Sequence, residues 1–210
     1  MTAELALYPM WQSLMQSLVI APALAEEVWV DVQKRYGENG RFYHTLTHIH
    51  HALTVAHSVR NEINAWTAVQ LAVWFHDVIY DPRANDNEVQ SAIYASYHLQ
   101  QWQIPKPLIQ KVNQLILATK DHLQSGLDSD SALFLDVDLA ILGAAPKRYD
   151  SYARNIRNEY AFVAESAYRQ ARRQVLLSFL NRPFIFQSPT LQRRFETAAR
   201  ANIQRELNNL

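Results

Sequence analysis

The chain has 210 residues, enough for one large domain whose core needs no covalent staples. Its 20 Lys and Arg balance 20 Asp and Glu, with 49% hydrophobic and 19% charged residues, which excludes both a disordered chain and a global field that would draw it to nucleic acid or an anionic membrane. Cysteine is absent, so disulfides, thiolate metal sites and a cysteine nucleophile are excluded, and the eight histidines and the carboxylates remain as candidate metal ligands.

The first stretch, 3–19, mixes Glu4, Pro9, Gln12 and Gln16 among apolar residues. It lacks the basic start and clean apolar core of a leader, and the uninterrupted length of a membrane span. It reads as an amphipathic helix, with the cytoplasm as the expected location and no membrane partner. Only four glycines occur, and alternating runs bounded by turn residues are missing, which argues against a sheet. The apolar spacing instead predicts helices near 3–19, 22–36, 45–61, 64–79, 86–103, 106–120, 131–142, 147–164, 166–181 and 189–208. The expected architecture is a single all-α domain, 1–210, of nine or ten helices, the count resting on whether Pro9 breaks the first.

Chemistry-bearing residues sit at four places along this chain. Between His44 and His51 fall four histidines, and at about 100° per residue His44, His48 and His51 share an arc of about 60°, with Val55 on the His48 side. That face is expected to be internal, whereas His50 and His57 read as solvated. From Trp66 to Tyr80 almost no polar side remains, yet His76 and Asp77 stand together in it, and an ionisable pair is costly to bury without partners. Bonds to backbone would satisfy such a pair, and so would a cation. Asn85 or Asp86 is expected to cap the helix that begins Asn87-Glu88. Glu88 is a candidate for the base that orients water, or a first-turn glutamate complementing the helix terminus.

The polar loop 121–130 contains His122 and precedes the run 131–142, which carries Asp136 and Asp138 among apolar residues. The helical wheel points Asp138 toward Phe134, Leu135, Ile141 and Leu142, and so predicts Asp138 as the more buried carboxylate and Asp136 as a solvated or supporting one. A buried carboxylate needs a cation or several donors, and a metal shared with His76 and Asp77 answers that need. Gly143 followed by Pro146 is expected to end this helix.

His48, the His76-Asp77 pair and Asp138 together resemble the ligand pattern of the HD superfamily, and more closely a bacterial group of metal-dependent HD phosphohydrolases. The stretches that carry the resemblance are RFYHTLTHIHHAL, FHDVIYDPRANDNEVQSA, LILATKDH, LFLDVDLAILG and YARNIRNEY, and it continues through RRQVLLSFL. Thr45 stands where the family often has Asn. The resemblance implies an all-α fold and a divalent ion (Mn, Fe, Co, Ni, Zn or Mg) held by His48, His76, Asp77 and Asp138, with hydrolysis of a small phosphorylated molecule, such as a nucleotide, by a metal-activated water. In that setting Glu88, His122 and His44 are candidate catalytic groups, and Arg41, Arg154 and Arg157 are candidate phosphate forks. The alternatives are a catalytically silent module that binds a nucleotide or partner, and a di-metal oxygenase with His98 or His122 as extra ligands. Nucleic acid is not an expected partner, since no basic run exceeds two residues.

Overall fold

Prolines and short polar side chains start most of the helices. The computed structural model describes residues 3–120 and 128–210, and among them there are ten α-helices and no strand. They are α1 (Ala3–Ser17), α2 (Pro22–Tyr36), α3 (Leu46–Ser58), α4 (Trp66–Phe75), α5 (Asn87–Gln101), α6 (Lys106–Ala118), α7 (Ser129–Asp138), α8 (Pro146–Glu159), α9 (Glu165–Leu180) and α10 (Pro189–Asn209). Pro22, Pro146 and Pro189 stand in the first turns of their helices, where the missing N–H costs nothing. The side chains of Thr45, Asp128 and Ser188 accept backbone N–H groups at the starts of α3, α7 and α10. Pro9 lies inside α1 and does not break it. Asp86 occupies the cap position of α5 without a side-chain cap bond; Asn87 instead ties that start to Asp81, accepting its N–H and donating to its carbonyl.

At the centre stands α4, buried at Ala68, Val69, Leu71, Ala72, Val73, Trp74 and Phe75, and packed against α3, α5, α6 and α7. Trp74 meets Trp11 of α1 and Trp29 of α2 edge-on, at centroid distances of 5.3 and 5.9 Å. Asp130 at the start of α7 accepts the N–H groups of Asn64 and Ala65, both at 2.8 Å, and so fixes the entry to α4. Gly143 closes a short 3-10 segment, Leu139–Gly143, on which α10 packs. A Cβ at Gly143 would stand 2.6 Å from Phe195 Cβ, so the close approach requires glycine. No helix among the described residues is long and apolar enough to cross a membrane.

Two expectations are corrected here. The helix from Trp66 ends at Phe75, so His76 and Asp77 lie at its C-terminus and in the following turn rather than within it. This frees Asp77 from the buried circumference and leaves it half-buried. The second correction concerns Asp136, which is 1% exposed and more buried than Asp138. The helical wheel gave each side chain a direction, but α7 is enclosed on both faces: the side that carries Asp136 meets the segment before α10, where the carboxylate accepts the N–H groups of Gln187 and Ser188 at 2.8 and 2.6 Å.

Candidate metal centre

Three helix ends and a loop bring the polar groups together. His48 comes from the first turn of α3, His76 and Asp77 from the end of α4, and Asp138 from the end of α7. His48 Nε2 lies 3.0 Å from His76 Nε2, 3.2 Å from Asp138 Oδ1 and 3.5 Å from Asp77 Oδ2. His76 Nε2 lies 3.0 Å from Asp77 Oδ2 and 3.5 Å from Asp138 Oδ1. Both imidazoles are buried, with side chains only 2% exposed, while the two carboxylates keep 20% and 16% exposure toward a cavity.

This donor set fits a divalent ion. Nδ1 of His76 sits 3.0 Å from the Val73 carbonyl, and only a protonated nitrogen can donate to a carbonyl. In its neutral form, the form that binds a cation, the ring therefore turns its Nε2 lone pair toward His48, and such a backbone bond is what fixes a ligating histidine. Two nitrogens held on one ion at about 2.1 Å each stand roughly 3.0–3.4 Å apart, so the observed separation suits a shared cation. His48, His76 and Asp138 form a group that could hold a metal ion, their ligand atoms all within 4.8 Å of one another. Asp77 Oδ2 stands beside both histidines as a fourth oxygen. Burial by itself would lower the His76 pKa, but the Asp77 and Asp138 charges outweigh it and hold it well above the ordinary value. Burial would likewise raise Asp77, and the His76 and His44 rings reverse this and hold it low. A cluster that binds a proton this tightly offers the same field to a cation.

Sequence reading did not single out Glu159, although it organises the approach to this cluster. Its side chain is fully buried at the end of α8. Oε1 accepts the N–H groups of Phe42, Tyr43 and His44 at 2.8, 2.7 and 3.0 Å, and Oε2 faces His44 Nδ1 at 2.7 Å and the Tyr80 hydroxyl at 3.1 Å. Burial would raise the Glu159 pKa, but the His44 ring and these backbone donors bring it down to about 2. His44 is thereby locked with Nδ1 toward Glu159, and stacks on Tyr80 at a centroid distance of 4.1 Å. The signal for Glu159 was hidden because its partners lie about 115 residues away in the chain.

A cavity of about 530 Å³ opens over the cluster and is lined by His44, Asp77, Asp138, Glu88 and Lys120, together with a wall from α8 and α9. Glu88, in the first turn of α5, is half-buried at this edge. Lys120 is an exposed cation beside it, its ammonium donating to the Asn85 carbonyl at 3.2 Å. His48 also lines a smaller cavity of about 160 Å³ with His51, Arg148 and Asn155.

None of the three arginines read as phosphate forks faces the main cavity. Arg41 is buried and donates to the carbonyls of Asp77 at 2.6 Å and Val78 at 3.0 Å, so it braces the turn that presents Asp77. Arg154 is exposed and bonds Ser151. Arg157 closes the end of α8 through the carbonyls of Tyr160 and Val163 and pairs with Glu165. Guanidinium groups find backbone carbonyls as readily as phosphates, and the sequence does not distinguish the two. His98 packs among Tyr94, Tyr97 and Trp102, with the charges of Asp31 and Glu27 acting on it, and is not among the residues of the cluster. His50 is half-buried, and His57 is exposed and packs on Trp66. His122 lies outside the described residues. No family model matches the chain, and neither does any curated protein or solved structure.

Proposed function

We propose that the protein is a metal-dependent phosphohydrolase acting on a small phosphorylated molecule. The observation that carries this reading is the convergence of two imidazole nitrogens and two carboxylates, 3.0–3.5 Å apart, at the floor of an open cavity. The likeness of these four positions to the HD ligand pattern supports it. A divalent ion bound there would lower the pKa of a water and take up charge on phosphoryl oxygens.

The chain's own groups have distinct tasks in this reading. His48, His76, Asp77 and Asp138 hold the ion. Glu88 accepts one proton of the attacking water, whose oxygen forms the new bond to phosphorus as the ester P–O bond breaks. His44, steadied by Glu159, gives a proton to the departing oxygen, so an alcohol and inorganic phosphate leave and the proton on Glu88 returns through solvent. Lys120 supplies a point charge beside the phosphate. Arg41 acts at one remove, by holding the Asp77 turn.

Elemental analysis of chelator-free protein, followed by phosphate release from a panel of phosphorylated metabolites under several divalent ions, tests the proposal. About one ion per chain is expected, with activity abolished by chelation and restored by adding the ion back. Bound metal with no phosphate release from any substrate would overturn it in favour of a catalytically silent binding module.

A further inference from the structure

The cavity over the metal cluster has two unlike walls. On one side stand the cluster and the charged groups Glu88 and Lys120. The rest of the lining, from the 3-10 segment through α8 and α9, is built mainly from Leu142, Tyr152, Ile156, Tyr160, Tyr168 and Val175. From residue 139 onward no lining residue has an amide or carboxylate side chain, and the one charge, Arg172, is already satisfied. It is 7% exposed, its guanidinium grips Glu206 at 2.7 and 3.1 Å, and its remaining nitrogen donates to the Tyr152 hydroxyl at 3.3 Å. That holds Arg172 to its partners and leaves the hydroxyls of Tyr152, Tyr160 and Tyr168 as the polar groups of an otherwise apolar and aromatic wall.

Sugars, nucleobase edges and second phosphates must exchange their water for protein donors and acceptors, and lose affinity where a wall offers only a few tyrosine hydroxyls. A second phosphate would also meet the carboxylates of Asp77, Asp138 and Glu88, against which the described lining sets only Lys120 and the proton-bearing His44. An apolar group loses nothing on this wall and gains from leaving water. The volume of about 530 Å³ accommodates a phosphate and a ring together.

We infer that the organic part of the substrate is uncharged and apolar: the protein takes a phosphate monoester of an aryl or bulky alkyl alcohol rather than a sugar phosphate, a nucleotide or a polyphosphate. This rests on the phosphohydrolase reading for its reaction, but not for its binding surface. Two primary-alcohol esters, 2-phenylethyl phosphate and glycerol 1-phosphate, share a leaving-group type, so their comparison isolates the wall from the chemistry. With Mn²⁺ present, kcat/KM for the phenylethyl ester should exceed that for the glycerol ester and for AMP by roughly 10- to 100-fold, as burying one ring implies. Val175 is half-exposed at the rim, so Val175→Asp folds and should collapse that ratio toward one. Calorimetric binding of the inert analogue 2-phenylethylphosphonate should be tighter than that of methylphosphonate by a similar factor, and Val175→Asp should remove the difference. A preference for AMP or glycerol phosphate, or equal binding of the two phosphonates, overturns the inference. If neither ester is hydrolysed while the aromatic phosphonate still binds preferentially in a Val175-dependent way, the hydrolase reading fails and the apolar chamber stands.

Discussion

Asp136 and Asp138 stand two residues apart on α7 and have opposite surroundings. Asp136 is sealed from water and takes its donors from backbone, the N–H groups of Gln187 and Ser188. Asp138 faces a cavity, with an imidazole nitrogen 3.2 Å from its Oδ1. Asp130 and Glu159 belong with Asp136, since each gathers backbone N–H groups. Burial therefore does not mark a functional carboxylate. What marks one is company that prefers a cation, within reach of a ligand.

The sharpest way to break this contrast is to neutralise the members of each class. Asp138→Asn and His76→Ala should lower bound metal from about one ion per chain to near zero and reduce phosphate release by on the order of 10³-fold. Asp136→Asn should keep the ion. Elemental analysis with circular dichroism decides it, and loss of metal in Asp136→Asn alone would reverse the assignment.

A smaller effect is expected where a carboxylate of the backbone-bound class touches the site. Glu159→Gln keeps the shape but loses charge and one acceptor, so His44 loses its anchor. The expected outcome is full metal content with kcat lowered by on the order of 10²-fold. An unchanged kcat would reduce Glu159 to a purely structural role.

Asp136 also has a signature in pH. Burial pushes its carboxyl up to about 6, against the pull of the Gln187 and Ser188 N–H groups. A folded-state pKa above the unfolded one means that the native protein holds this proton more tightly. The stability so gained is complete below about pH 4 and lost as pH rises through about 6, on the order of 3 kcal/mol. Urea unfolding between those limits should show the slope in the wild type and not in Asp136→Asn. The smallest change belongs to Arg154→Ala, whose exposed side chain bonds only Ser151 among the described residues. Its kcat/KM should stay within about twofold of the wild type, and a larger fall in the steady-state assay would return it to the site.

The helices were legible because their signals are local: a proline in the first turn, a short polar cap, an apolar stripe. The candidate ligands stood out because ionisable groups in apolar runs demand explanation, and those at 48, 76, 77 and 138 do converge. What misled was direction without surroundings. The wheel for α7 could not show the 185–188 segment closing over Asp136, and charge could not show Arg41 and Arg157 turning to carbonyls. Glu159 sits in an unremarkable polar helix end, and its importance exists only after chain closure.

That closure has a consequence for how the protein is made. The candidate ligands come from positions 48, 76, 77 and 138, and the anchor of His44 arrives at 159. On a growing chain the first three ligands emerge long before the fourth, and contacts across about 115 residues form late because they close large loops. An ion bound there would not nucleate this domain in the way zinc folds a small finger. It would be loaded onto a helical scaffold already assembled around α4, so metal starvation should leave soluble, folded protein that regains its function when the ion returns.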